Sequence, residues 1–278
     1  MTLRRYTEVD VFSPTVYQGN PVAVVHDAEG LTTQQMQRFA KWTNLAETTF
    51  LLPPTSEEAD YRLRIFSATQ EFPFAGHPTL GSALAWLHAG GVPRRSGEVV
   101  QECGAGLVPV RIEDAMLAFA APPLTRFSPV DEAELMEVAE ILGIDRIDIR
   151  DASWLVNGPE WMGVRLASAA EVLALRPDPA ALGARCIGVI GEHPSESDIR
   201  YEVRAFVGND PVWEDPITGS LNAGLALWLR ETGVTTDGYV AAQGTVIDHE
   251  GRVHVSYDDG QIWVGGNAFV CVNGHVEL

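Results

Sequence analysis

The chain has 278 residues, 19 basic against 38 acidic side chains for a formal charge of −19, and is 46% hydrophobic and 21% charged. Such an excess of negative charge repels phosphate backbones and anionic lipid, which argues against nucleic acid and membranes as partners. The apolar share is that of a globular protein, which excludes disorder, collagen-like repeats and coiled coils, and the length allows two ordinary domains.

Alternating apolar positions predict strands at Tyr6–Phe12 and Pro21–Val25, separated by the turn residues Gln18, Gly19 and Asn20. A helix follows, opened by a Thr32/Gln35 capping box, with Met36, Phe39, Ala40 and Thr43 on one face and Asn44 at its end. Strands are expected at Thr48–Leu52 and Tyr61–Phe66, then the segment Phe74-Ala75-Gly76-His77-Pro78-Thr79, a helix ending at Gly90-Gly91, and strands at Glu98–Gln101 and Leu107–Ile112. From Ala121-Pro122-Pro123 to Ser128-Pro129 the chain turns proline-rich, the mark of a connection between domains. Residues 1–120 and 121–265 are therefore expected to form two domains. In the second, Ser128 as cap and Pro129 at the first helical position should start a helix whose stripe Leu135, Val138, Ala139 and Leu142 ends at Gly143.

The two halves share a pattern. Tyr61-x-x-Arg64-x-Phe66 recurs as Tyr201-x-x-Arg204-x-Phe206, and His77-Pro78-x-x-Gly81-Ser82 recurs as Asp215-Pro216-x-x-Gly219-Ser220, with Pro73 matched to Pro211. Two ordered matches at nearly one offset predict a duplicated α/β unit, which would bring equivalent loops together about a pseudo-twofold axis, with the ligand between the domains.

On this alignment His77 and Asp215 are N-caps, with Pro78 and Pro216 at the first helical positions. Their helix ends would bind a carboxylate through backbone N–H groups, without arginine or lysine. Aspartate is a favoured cap in its own right, whereas histidine is not, so His77 asks for another reason, with a packed or hydrogen-bonded histidine as the alternative to a chemical role. Ser82 and Ser220 can equally be small polar residues of a first turn. Glu47 leads directly into an apolar strand, where partial desolvation would raise its pKa and suit it to moving protons near neutral pH; a solvated turn glutamate is the alternative. Glu71 and Asp210, flanking the two motifs, are expected to be loop charges.

Other chemistries lack their parts. Lys41 is the single lysine, which leaves Schiff-base or pyridoxal chemistry nearly without a candidate. The seven histidines show no metal-ligand spacing, and GxGxxG, GxxxxGK[ST] and GxSxG are absent, so no metal and no cofactor is expected. Cys103, Cys186 and Cys271 are widely separated without a CxxC, and no apolar run approaches a membrane span, so the expected location is the cytoplasm.

Gly19-Asn20-Pro21-Val22-Ala23-Val24-Val25, Asn44-Leu45-Ala46-Glu47-Thr48-Thr49-Phe50, the His77 segment and Asp215-Pro216-Ile217-Thr218-Gly219-Ser220 together resemble the PhzF (phenazine biosynthesis) family, in order over essentially the whole chain. The resemblance implies an α/β (α+β) fold of the diaminopimelate-epimerase type: two pseudo-symmetric domains, each a curled mixed sheet around a central helix, with residues 266–278 returning to the first. It further implies a homodimer. Glu47 matches the family's proton-transferring carboxylate, with His77, Asp215 and Ser220 lining the catalytic site. Asn20, Gly76, Pro78 and Gly219 would lie on the substrate, whose carboxylate the backbone at Gly76–His77 and Gly219–Ser220 would hold. Thiol-dependent members of that fold carry a cysteine in each of two facing loops, and neither loop has one here. The expectation is a cofactor-independent isomerase that moves a proton on a small carboxylic acid in an interdomain cleft. A two-base racemase, epimerase or dehydratase using Glu47 and Asp215, or a non-catalytic small-molecule-binding protein of this fold, are the rivals.

Overall fold

A computed structural model describes residues 2–113, 116–209, 212–258 and 260–278. Asp210 and Pro211, singled out in the sequence, lie outside the described residues. The chain divides into two compact units, Met1–Ala120 with Gly265–Leu278, and Ala121–Val264.

The first unit runs β1 (Leu3–Val11), β2 (Asn20–Val25), α1 (Thr33–Thr43), β3 (Glu47–Leu52), β4 (Tyr61–Phe66), β5 (Glu71–Phe72), α2 (Gly76–His88), β6 (Glu98–Cys103), β7 (Gly106–Glu113) and β8 (Met116–Ala120). The Thr32/Gln35 capping box starts α1, and Asn44 closes it in the left-handed conformation at φ 57°. Met36, Phe39 and Ala40 on its inner face pack with Val25, Phe50 and Phe66. Helix α2 is of another kind: nine of its 13 residues are buried, because it packs against β1, β2, β3, β6 and β8. Gly81 permits this. A Cβ there would lie 2.3 Å from Val22 Cγ1 and 3.2 Å from Val11 Cγ2, so any side chain would push α2 off the sheet.

The second unit runs β9 (Arg126–Pro129), α3 (Glu132–Leu142), β10 (Asp151–Val156), β11 (Glu160–Arg165), α4 (Ala169–Ala174), β12 (Cys186–Glu192), β13 (Tyr201–Val207), β14 (Glu214–Asp215), α5 (Gly219–Glu231), β15 (Tyr239–Gln243) and β16 (Gly251–Asp258). β17 (Gln261–Glu277) begins here and pairs antiparallel with β1, from Leu3↔Glu277 to Val11↔Ala268. Ten of the 13 residues of α5 are buried, and it packs on β10, β11 and β16. The expected Ser128 cap is not one. Ser128 and Pro129 are in β9, paired with Trp154 and Ser153, and Asp131 caps α3 through the N–H of Glu134. A strand partner outcompetes a local cap for the same residues.

Both units use one connectivity. β1–β2 and β10–β11 are antiparallel; β2–β3 and β11–β12 are parallel, crossing through α1 and α4. β3–β4 and β12–β13 are antiparallel, each followed by a two-residue hairpin partner, β5 or β14. β4–β6 and β13–β15 are parallel, crossing through α2 and α5.

The register corrects the second half of the sequence alignment. Glu71 lies opposite Phe66 and Glu214 opposite Phe206, and the two long helices begin at Gly76 and Gly219. The shift is therefore 143 positions here. His77 corresponds to Ser220, Pro73 to Pro216 and Gly81 to Gly224, while Asp215 corresponds to Phe72. The shared letters Pro-x-x-Gly-Ser misled, because Gly81-Ser82 lie inside α2 whereas Gly219-Ser220 open α5. The β13–β14 hairpin is three residues longer than the β4–β5 hairpin, which moves the offset up from 140 to 143, away from the 138 that the shared letters imply.

A conserved-geometry pair confirms this register within the chain. Arg64 donates Nε and Nη2 to Glu71 at 2.7 and 2.6 Å, and Arg204 donates the same two groups to Glu214 at 2.8 and 2.8 Å. Glu71 is thus a paired strand residue, not the loop charge expected. The first pair has side chains 24% and 37% exposed and the second 3% and 4%. Burial should separate their effects: Glu214→Ala leaves a buried guanidinium uncompensated and should cost about 3–5 kcal/mol, whereas Glu71→Ala should cost about 0–1 kcal/mol. Urea unfolding of the two variants checks this, and equal losses would contradict it.

Candidate active site

Four segments of the first unit converge. Asp10, buried in β1, accepts the N–H groups of Gln18 and Gly19 at 3.1 and 3.0 Å, which fixes the loop delivering Asn20 to the start of β2. Asn20 is fully buried. The parallel crossover through α1 sets Glu47, the first residue of β3, beside Val22 of β2. His77 is the second residue of α2 and is not a cap. Ala75 holds the N-cap position in an extended conformation, with no side-chain hydrogen bond to the helix.

His77 Nε2 lies 3.2 Å from Glu47 Oε2, their side chains 5% and 16% exposed. The ring also donates to the Pro21 carbonyl. Burial drives the imidazole pKa from 6.5 down to about 3, against the smaller upward pull of that hydrogen bond. A neutral ring carries one N–H; with that proton on Pro21, the nitrogen facing Glu47 offers a lone pair. The site thus holds a carboxyl group and a neutral imidazole at the positive end of α2. Pro78, at the third helical position, has no N–H, which leaves Gly76 and His77 as the donors of the first turn.

In the second unit Thr218, not Asp215, is the N-cap of α5. Asp215 is in β14, where its Oδ2 accepts the Thr218 hydroxyl at 2.5 Å. Gln243 secures the turn: Nε2 donates to the Asp215 carbonyl and Thr218 Oγ1 at 3.1 and 3.0 Å, while Oε1 accepts from Thr218 N and Asn222 Nδ2 at 3.1 and 2.9 Å. Gly219 and Ser220 are the first two helical residues. Trp161 Nε1 donates to Ser220 Oγ at 3.0 Å, and Asn157 Nδ2 donates to the Ser220 carbonyl at 2.9 Å.

Glu47, His77, Asn20, Gly76 and Pro78 thus fall together in one unit, and Asp215, Gly219 and Ser220 in the other. Sequence reasoning missed Thr218, Gln243, Asn157 and Trp161. The turn Asn157-Gly158-Pro159 and a tryptophan in an apolar strand, whose indole N–H needs a partner once buried, were the available signals. A groove of about 590 Å³ lined by Arg62, Arg64, Glu71, Phe72, Cys103 and Gly104 contains none of the expected site residues. Among the described residues no helix is long and apolar enough to cross a membrane.

The model of the phenazine biosynthesis-like family, PhzC-PhzF, matches residues 9–274. The chain belongs to this family. It is 35% identical to the Schizosaccharomyces pombe protein named antisense-enhancing sequence 1, over 99% of both chains. It is 33% identical to the trans-2,3-dihydro-3-hydroxyanthranilate isomerase of Pseudomonas aeruginosa, over 82% of this chain and 80% of that one. A PhzF-family crystal structure from Bacillus anthracis has the same mixed, sheet-dominated α+β fold, with a TM-score of 0.81 at 23% identity over the whole of both chains.

In this PhzF-family protein the neutrality of His77 is measurable. Its ring should titrate near pH 3 by NMR, without an inflection near 6.5. Because the folded value is depressed, the unfolded chain takes up the proton first, so this contribution to stability is intact above pH 6.5 and declines as pH falls toward 3. His26, lowered to about 4 chiefly by burial, adds to the same trend. His77→Gln should therefore make the loss of Tm between pH 6.5 and 4 shallower; a His77 titration near 6.5 would contradict the assignment.

Proposed function

We propose that the protein is a cofactor-independent isomerase that moves a proton between carbons of a small carboxylic acid, with Glu47 as acid and base in turn. The observation that carries this reading is the Glu47–His77 contact at the start of α2, a largely buried carboxyl–imidazole pair in a protein whose relatives are named isomerases. Glu47 as carboxylate takes a C–H proton from the substrate. The negative charge that develops spreads toward the substrate carboxylate, where helix N–H groups at Gly76–His77 and Gly219–Ser220 favour it. Glu47 then returns the proton to a second carbon. His77, neutral throughout, packs beside the Glu47 carboxyl and orients it without adding charge. Asn20 and Pro78 shape the wall beside this pair.

Asp215 positions the substrate from the other unit, its carboxylate fixed by Thr218. The repeat favours one proton carrier over two. By register the counterpart of Glu47 is Cys186, beside Trp161, and that of His77 is Ser220, so the second unit does not duplicate the carboxylate–imidazole pair.

The compound named for the Pseudomonas relative, trans-2,3-dihydro-3-hydroxyanthranilate, is the first substrate to assay. Glu47→Gln preserves shape but cannot accept the proton and should lose about 10²–10⁴-fold in kcat. Asp215→Asn should lose less, mainly through KM. A Glu47→Gln variant near wild-type rate beside an inactive Asp215→Asn would transfer the base to Asp215.

A further inference from the structure

His77 and Ser220 occupy the same position of the repeat, the second residue of α2 and of α5. In each unit the strand that enters the parallel crossover, β2 or β11, holds that side chain, but with opposite polarity. Pro21 in β2 offers a carbonyl, which takes the proton of the His77 ring and leaves a lone pair outward. Trp161 in β11 offers an indole N–H, which occupies an acceptor orbital of Ser220 Oγ at 3.0 Å. Ser220 is more than nine-tenths buried, and among the described residues its hydroxyl proton meets no protein acceptor. A buried donor without an acceptor is costly unless a ligand supplies one. Asn157, donating to the Ser220 carbonyl at 2.9 Å, keeps the backbone from turning to relieve it.

We propose that Trp161 is a positioning residue: its indole N–H takes one of the two lone pairs of Ser220 Oγ and fixes the hydroxyl rotor so that its proton points outward, donating to the substrate carboxylate alongside the first N–H groups of α5. This rests on the reading of Gly219–Ser220 as an anion-binding end. The outward hydroxyl and the helix N–H groups favour a carboxylate over a neutral isostere, which brings neither the charge nor a second acceptor oxygen. Loss of the indole N–H frees the hydroxyl to turn inward and accept, and that selectivity falls.

The experiment is a titration of the full chain with benzoate, with benzamide as neutral control, for wild type, Trp161→Phe, Ser220→Ala and the double variant. Wild type should bind benzoate and discriminate against benzamide. Each single variant should lose benzoate affinity by about tenfold, the scale of one hydrogen bond to a charged group, with benzamide nearly unchanged. The double variant should lose no more than Ser220→Ala, since both remove one interaction. A benzothienylalanine placed at 161, which keeps the indole shape without its N–H, should behave like Trp161→Phe and so separates hydrogen bonding from packing. Additive losses, or full affinity in the benzothienylalanine protein, would overturn the role of Trp161. Absence of benzoate binding by wild type would overturn the anion-site reading and this inference with it.

Discussion

A histidine too deeply buried to hold charge, tied at one nitrogen to a main-chain carbonyl and set against a carboxyl group, is the constraint on which the first unit depends. Each partner comes from a different crossover. The parallel β2–β3 connection brings Glu47 beside Val22, and the α2 connection returns the chain so that His77 reaches Pro21 on the same β2 strand. The peptide dipoles at the start of α2 give this corner a positive character without lysine or arginine.

The second unit shows what a duplicated scaffold leaves open. Connectivity, the bidentate arginine–glutamate pair and the close approach of the long helix at Gly81 and Gly224 recur. A Cβ on Gly224 would meet Leu155 Cβ at 3.0 Å, as one on Gly81 would meet Val22 and Val11. Chemistry at the helix ends does not recur: Glu47 and His77 are answered by Cys186 and Ser220, and Phe72 by Asp215. Even the shared ion pair differs in role, half-exposed in one unit and sealed in the other. Packing constrains the scaffold positions tightly, and the ends of strands and helices are where different chemistry can be installed.

Local chemistry was legible in the sequence wherever a residue's partner lay within a turn of it. The Thr32/Gln35 box, the left-handed Asn44 and Gly143, and the inner faces of α1 and α3 all read directly from spacing. Ser128-Pro129 read as a helix start because its competitor, pairing with Trp154 and Ser153 on β10, is 25 residues distant. The helix-end alignment failed for a different reason: Pro-x-x-Gly-Ser marks a helix interior in one unit and a helix start in the other, and only the strand register shows which. Glu47 and His77 were visible as unusual residues, but their contact spans 30 positions and needed the fold. Gln243 and Trp161, which hold Asp215, Thr218 and Ser220 in place, carry no motif at all; their function lies in where two strands deliver an amide and an indole N–H.

The most direct test of Glu47 as a single proton carrier follows hydrogen through the reaction. Turnover of the proposed carboxylic-acid substrate in deuterated water, stopped early and read by NMR and mass spectrometry, reports whether the hydrogen leaving one carbon arrives at the other. Part of the product should keep the migrating protium, because the same carboxyl removes and returns it within a largely buried pair. Complete deuteration of the new C–H from the first turnovers, delivered to the face opposite the one that lost its proton, would contradict it.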